Sequence, residues 1–472
     1  MTTANAYPVT QTIRTIGILG GGQLGMMLAQ AALPLGYQCV FLEDNPDCPA
    51  SLYGQVYPSA QLDEFIATAD VFTLEFENTP TATVEQLARL SKAGNKQGMF
   101  PPPIALDIAQ DRLKEKQMFN DLDIATVPYR AVSSEAELQH ACAELGLPIV
   151  LKTSRGGYDG KGQYVIKTDS EIKIAWRELK DAVSGKGSLT PTPAPLIAEG
   201  FIRFSREVSI IAARAQDGSA RCYDLVENHH HHGILAKTQA PAVGTSHLFN
   251  QAKEAITTIM NHLNYVGVMA LELFVTKDKR GHDYLLANEI APRVHNSGHW
   301  SIEGAITSQF ENHIRAVVGL PLGDTDNVHP AIMVNVLGEY PDISAVLAID
   351  GVHYHSYHKA EREARKIAHI TLMPNDVSDL EPSMAKLIAV LPNKVGLDKE
   401  YAPIVRQENL EQANEEATED AAPSEHTAKT SATKAKSKQK SDTPAQDQSD
   451  HKDSPLANEA SDKPLKTTQA KK

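Results

Sequence analysis

Short unbroken apolar runs, each ending on glycine or on a charged side chain, alternate with stretches of helical spacing through most of the chain. Residues 14–20 (RTIGILG) read as a buried strand, GGQLGMMLAQAALPLG as a glycine turn feeding an amphipathic helix, and QCVFLED as a second strand. This βαβ opening, with DVFTLEFEN at 70–78 as a further strand ending in Glu75, Glu77 and Asn78, predicts a parallel sheet flanked by helices. PPPIALDIAQDRLKEKQMF is Pro-marked and helical, and starts a new unit.

Longer runs rich in Val, Ile, Leu and Phe follow, at 149–166 (IVLKTSRGGYDGKGQYVI), 197–214 (IAEGFIRFSREVSIIAAR), 265–276 (YVGVMALELFVT) and 283–294 (DYLLANEIAPRV). They predict a largely antiparallel sheet. Beyond Pro321 a smaller unit is expected, with IMVNVLGEY, GVHYHSYHK and ARKIAHITL as its strands. From Arg406 to Lys472 the pattern stops: three leucines remain, with no Val, Ile, Phe, Tyr, Trp or Met, and an acidic block precedes a basic one. Ordering such a stretch would cost roughly 100 kcal/mol, and burying its leucines would return about 6, so a disordered, solvating tail is expected.

With 472 residues, 42% hydrophobic and 22% charged, the chain is long enough for two or three cored domains. A net charge of −14 argues against non-specific nucleic-acid or anionic-membrane binding, while leaving room for a local basic pocket. No run approaches the length of a membrane span and the first residues carry no apolar leader core, so a cytoplasmic protein is expected. Cys39, Cys48, Cys142 and Cys222 lack the spacing of a zinc site or a disulfide framework.

The chemistry concentrates in 149–166, which reads as strand, glycine-rich turn, strand, with Lys152 closing the first apolar run and Lys161 on the far side of the turn. Glycines there let the backbone fold over a phosphate chain, yet Gly162 follows Lys161 where a Walker A loop needs Ser or Thr and then a helix; a hairpin lid, or an ordinary hairpin turn, fits better. GGGQLG (Gly20–Gly25) fits a dinucleotide fingerprint, with Glu43 or Asp44 as the ribose acid, but such a turn serves equally for a small phosphate or as plain structure. Glu272 and the pair Asn288 and Glu289 place carboxylates and an amide at the ends of two apolar strands, a donor set suited to Mg²⁺. Arg293, His295, Asn296 and Ser297 follow as a dense polar cluster fit for an anion. Lys359, Arg362, Arg365 and Lys366 form either a phosphate clamp or a solvated basic face. Four consecutive histidines, His229–His232, cannot all converge on one ion, so a single functional histidine is expected among them.

GILGGGQLGMML, TLEFEN, RGGYDGKGQ, ENxHxxGI, GVMALELF and NEIAPRVHNSGHW, in this order, resemble the N5-carboxyaminoimidazole ribonucleotide synthetase family of the ATP-grasp superfamily, over roughly residues 13–395. The resemblance implies a mixed α/β and α+β architecture. After a flexible 1–12 come a Rossmann-like domain (13–107), an ATP-grasp domain (108–325) with a mobile lid at about 130–204, a small β-rich domain (326–400) and the disordered tail (406–472). ATP would meet Arg112, Lys152, Gly157, Tyr158, Asp159, Gly160, Lys161, Gly162, Gln163, Glu199, Gly200, Phe201, Ile202, Glu207, His230, Asn288 and Glu289; Glu272 and Glu289 would hold Mg²⁺, with Mn²⁺ as an alternative.

By the same resemblance bicarbonate is phosphorylated to carboxyphosphate and its carboxyl group passes, as CO₂ or directly, to the exocyclic amine of 5-aminoimidazole ribonucleotide. Arg293, Asp159 and Lys152 are the implied catalytic residues. Gln23, Leu24, Glu75, Glu77, Arg155, Tyr158, His295, Asn296, Ser297, Lys359, Arg365 and Lys366 are the implied contacts to the ribonucleotide. A homodimer that hands its product to the N5-carboxyaminoimidazole ribonucleotide mutase is also implied. Where relatives often carry a PGRK turn this chain reads Glu363-Ala364-Arg365-Lys366. The rival assignments are another ATP-grasp ligase, such as a formate-using glycinamide ribonucleotide transformylase or a biotin carboxylase, an NAD-dependent oxidoreductase, and a nucleotide sensor without turnover.

Overall fold

The computed structural model describes residues 13–93, 98–156, 162–186, 192–392, 394 and 397, all within the first of the chain's two units, Met1–Glu411; the second is Gln412–Lys472. The expected tail and Gly157–Lys161 of the glycine turn lie outside the described residues. No helix among the described residues is long and apolar enough to cross a membrane.

The opening pattern folds as a parallel sheet of β1 (Thr15–Leu19), β2 (Gln38–Leu42), β3 (Gly54–Tyr57) and β4 (Val71–Leu74), in the order β3-β2-β1-β4. β1 is where the strand order reverses, so the turn after it opens into the crevice at the carboxyl ends of β1 and β4. Because Leu19 pairs with Leu74, the residues that follow, Gly20 and Glu75, are neighbours.

A second sheet, order β5-β8-β6-β7, is antiparallel: β5 (Tyr129–Val132), β6 (Ile149–Thr153), β7 (Gln163–Ile166) and β8 (Leu196–Gly200). Leu151, Ile166, Leu196 and Ala198 pack with Leu138 and Ala175 of the helices Glu135–Leu145 and Ile172–Val183 to give this sheet its own core.

The largest sheet has nine strands, ordered β14-β13-β9-β11-β12-β15-β17-β16 with β10 beside β9. They are β9 (Arg206–Arg214), β10 (Ala220–Cys222), β11 (Val226–His231), β12 (Ile234–Ala240), β13 (Gly267–Lys277), β14 (Asp283–Ala291), β15 (Ala331–Leu337), β16 (Val352–Ser356) and β17 (Lys366–Leu372). Strands from beyond Pro321 thus extend the central sheet, β12 pairing with β15 from Lys237↔Val334 to Ala240↔Ala331. The run 197–214 departs from the sequence reading. It divides between two sheets, with the exposed Phe201 and Phe204 in the link and Phe204 stacked on Phe274 at 4.6 Å.

His313, on the helix Gln309–Val318, ties the parallel sheet to the central one: its Nε2 lies 2.7 Å from Thr73 Oγ1 and its Nδ1 accepts from the Val268 amide at 3.0 Å. Full burial pushes this imidazole down to about 4. An unfolded histidine titrates near 6.5, so the contribution of His313 is intact above that value and drains away as the pH falls toward 4. Equilibrium unfolding should therefore show the stability gap between wild type and His313→Gln narrowing by about 2 kcal/mol from pH 7 to pH 5. A constant gap would mean that the imidazole is not held neutral.

Candidate active site

The helix Arg112–Asp121 starts on Asp111, whose Oδ1 accepts from the Leu113 amide and whose Oδ2 accepts from Arg155 Nε at 2.9 Å. Arg155, expected at the ribonucleotide, is thus held against this cap. Arg112 Nη1 donates to Glu289 Oε2 on β14 at 2.7 Å. On the second sheet Lys152 Nζ donates to Glu199 Oε2 at 2.5 Å, and the buried Lys116 Nζ lies 3.9 Å from Glu199 Oε1. Burial pushes the Glu199 carboxyl up, but Lys152 and Lys116 outweigh it and hold the group below its ordinary range. Arg112 with Glu289, and Lys152 with Glu199, therefore form two ion pairs, the second flanked by Lys116. Gly162 and Gln163 follow at the start of β7, Gln163 pairing with Lys152.

Glu272 and Glu289 face each other across β13 and β14. Burial, and then Glu289, push Glu272 up to about 7; burial acts the same way on Glu289, but Arg112 overcomes it and keeps that carboxylate low. His295 Nε2 stands 3.5 Å from Glu272 Oε1, while its Nδ1 accepts from the Ser297 amide and lies 2.8 Å from Ser297 Oγ. Burial, Arg293 and Lys366 drive His295 down to about 3, so its imidazole is neutral and brings Glu272 no charge. His230 Nδ1 lies 2.5 Å from Glu207 Oε2, and there the carboxylates win over burial and raise the imidazole. Among the described residues no group of three or more His, Cys, Asp and Glu side chains is placed to hold a metal by itself. Two opposed carboxylates beside an amide suit a hard cation that keeps phosphate oxygens in its shell, so Mg²⁺ fits here as a partner of the nucleotide.

The crevice of the parallel sheet supplies the other wall. Glu75 Oε1 and Oε2 accept from the amides of Gly22 and Gly25 at 2.6 and 2.7 Å, at the start of the helix Gln23–Ala32. A Cβ on Gly20 or Gly22 would come within 2.6 Å of that carboxylate, which is why glycines stand there. Glu75 thus takes two amides of the glycine turn, those of Gly22 and Gly25, and the Leu24 side chain is buried. Gln23 Oε1 instead accepts from Lys359 Nζ. Burial lowers Lys359 to about 8, against the pull of Glu75. Glu77 grips Arg293 through both oxygens, with Nη2 donating to Oε1 at 2.7 Å, and Arg293 Nη1 donates to the Val294 carbonyl.

Asn296 and Asn335 of β15 exchange amide hydrogen bonds of 3.1 and 2.6 Å, fixing the polar cluster onto the extended sheet. The basic cluster spreads out. Lys359 turns to Gln23, Arg365 donates to the Ala360 carbonyl, and Lys366 adds positive charge near Glu272, His230 and His295. The 362–365 turn is closed by the Arg365 amide on the Arg362 carbonyl, and Ala364 takes φ 60° where the PGRK pattern has glycine. Gly200, Phe201 and Ile202 lie at the end of β8 and in the link after it.

Sequence reasoning missed Glu115, Lys116 and Gln309. Arg112, Glu115, Lys116 and Phe119 fall at i, i+3, i+4 and i+7, one helical face, and that spacing was the available signal. Gln309 brackets His295, its Oε1 accepting from the His295 amide and its Nε2 donating to the His295 carbonyl; nothing in its local sequence marks it.

Three family models match in order: the ribonucleotide synthetase preATP-grasp domain over 13–110, the ATP-grasp domain over 117–310 and the phosphoribosylaminoimidazole carboxylase C-terminal domain over 331–383. The chain is 43% identical over 385 residues to an N5-carboxyaminoimidazole ribonucleotide synthase of Pseudomonas aeruginosa, covering 80% of this chain and 99% of that one. Among solved structures, the N5-carboxyaminoimidazole ribonucleotide synthetase of Thermus thermophilus superposes with a TM-score of 0.71 at 42% identity, over 80% of this chain and 99% of the other. That of Aspergillus clavatus in complex with ADP and 5-aminoimidazole ribonucleotide gives 0.70 at 28% identity, over 80% and 98%. Cover of such relatives over almost their whole length, at up to 43% identity, leads to a single conclusion: the chain belongs to the N5-carboxyaminoimidazole ribonucleotide synthase family.

Proposed function

We propose that the protein uses ATP and bicarbonate to carboxylate the exocyclic amine of 5-aminoimidazole ribonucleotide, giving N5-carboxyaminoimidazole ribonucleotide, ADP and phosphate in purine biosynthesis. The observation that carries the reading is the path from Glu289 to Arg293: within five residues it runs from the carboxylate paired with Arg112 to the guanidinium paired with Glu77 in the N-terminal crevice. An acceptor in that crevice and a nucleotide at β14 would then meet at Arg293.

A bicarbonate oxygen attacks the γ-phosphorus, the bond to ADP breaks, and ADP leaves with the electron pair. The ribonucleotide amine then attacks the carboxyl carbon, directly or after CO₂ is released, phosphate departs, and the amine gives up a proton. Lys152 and Arg112 supply fixed positive charge on the nucleotide side. Mg²⁺, held by Glu272 and Glu289 with Asn288 beside them, would neutralise phosphate charge. Arg293, with one N–H spent on Val294 and two on Glu77, keeps two more for the carboxyphosphate oxygens. Lys359, held by Gln23, would take the ribonucleotide phosphate, and Glu75 its polar edge. Asp159, outside the described residues, is kept as a catalytic residue. A cytoplasmic homodimer passing its product to the mutase completes the reading.

ADP release by purified protein with ATP, Mg²⁺ and bicarbonate tests it. The rate should rise strongly when 5-aminoimidazole ribonucleotide is added. No stimulation would sink the proposal, and turnover with formate and glycinamide ribonucleotide would promote the sister ligase.

A further inference from the structure

β14 is an edge strand of the central sheet, and its register against β13 slips at one place: Glu272 pairs with Glu289 but Leu273 pairs with Ala287, leaving Asn288 as an extra residue. The apolar phase records the slip. Leu285 and Ala287 enter the core two apart, and the next residue to do so is Ile290. Such a bulge turns two consecutive side chains to the same side, and here they are Asn288 and Glu289, both half-buried at the cleft. A bulge on an edge also strands main-chain groups that no neighbouring strand can pair.

The helix Arg112–Asp121 and the segment after it supply partners here, the Ala287 amide donating to the Ala125 carbonyl at 2.8 Å. Lys116 Nζ donates to the Asn288 carbonyl at 2.8 Å and to that of Ala287 at 3.3 Å, and also reaches Thr126 Oγ1 at 2.9 Å. Thr126 Oγ1 donates to the Ala287 carbonyl at 2.7 Å. Beyond the bulge, Glu115 Oε1 accepts from the Ile290 amide at 2.7 Å. Lys116 has no exposed surface, a costly place for an amine unless its hydrogens are all engaged. If the site needed only volume, an apolar side chain of similar length would serve.

We infer that Lys116 is a positioning residue, whose amino group pins the bulge at Asn288 and so aims Asn288 and Glu289 together at the metal and nucleotide phosphates. This rests on the reading of Glu289 as a metal ligand. Lys116 touches neither substrate nor metal; it acts through the backbone of β14.

The test is Mn²⁺ binding to the full-length protein in the presence of ADP, read by electron paramagnetic resonance. Lys116→Met should weaken Mn²⁺ binding by about tenfold or more, as loss of a group supporting a ligand does. Amide exchange at Leu273 and Ile290 should quicken. A purely structural Lys116 would lower the melting temperature and leave Mn²⁺ affinity alone, and that result overturns the inference. Should Lys116→Met fail to fold, Thr126→Val decides by the same measurement: weaker Mn²⁺ binding supports the pinning, and unchanged binding overturns it. Glu289→Gln separates the two readings. If it leaves Mn²⁺ affinity unchanged, the metal assignment falls and this inference with it; if it weakens Mn²⁺ while the Lys116 and Thr126 variants do not, only this inference falls.

Discussion

Glu289→Gln should reduce kcat by about 1,000-fold or more while the protein remains folded. The amide keeps an oxygen that can accept from Arg112 Nη1, so that contact survives as a neutral hydrogen bond. What disappears is the negative charge that Arg112 holds ionised between Glu272 and the nucleotide. Two consequences can be measured separately. Steady-state ADP release should collapse, and raising Mg²⁺ should restore only part of it. Glu272, pushed up to about 7 by burial and then by Glu289, should titrate lower in the variant, because one of its upward pushes is gone. Normal turnover in Glu289→Gln would place the metal elsewhere.

Arg293→Lys should cost kcat about 100-fold to 1,000-fold with the KM for ATP changed far less, because an ammonium cannot reproduce the planar fork. In the wild type Glu77 engages both Nε and Nη2, fixing the plane of the guanidinium and hence the direction of its remaining N–H groups. A lysine could still meet one Glu77 oxygen, so net charge is kept and only direction is lost. ADP release and carboxylated product should fall together. If ADP release persisted while product fell, Arg293 would belong to the acceptor step alone, and near-normal rates for both would remove it from the reaction.

Much of the framework was readable because it is written in short-range periodicity: β1, the glycine turn and its helix, the paired strands of 149–166, and the strands ending in Glu272 and Glu289. The site was readable as residue types, but not as contacts. GGGQLG carries the signature of an anion turn, and no local pattern could show that Glu75, 53 residues away from Gly22, takes two of its amides. Lys359 meets Gln23 across 336 positions, and Glu115 meets Ile290 across 175. Periodicity fixes which face a side chain takes; its partner is set by how the sheets are ordered, which the chain does not spell out locally. The slip at Asn288 was not readable either, since Leu285, Leu286 and Ala287 form one unbroken apolar run with no alternation to interrupt.

The extension of the central sheet by β15, β17 and β16 has a mechanical consequence. A sheet is stiff in its own plane, and one hydrogen-bonded plate runs from the carboxylates on β13 and β14 to β16 and β17, the strands on either side of Lys359. Such a plate holds the spacing between those carboxylates and the strands that flank Lys359. On the proposed function, a closing stroke over the nucleotide would fall to the separate sheet carrying Lys152 and Glu199 and not to this plate. Binding of the acceptor should therefore owe little to whether the nucleotide is already in place, and the order of addition should be set by trapping of the phosphorylated intermediate rather than by assembly of the acceptor's seat.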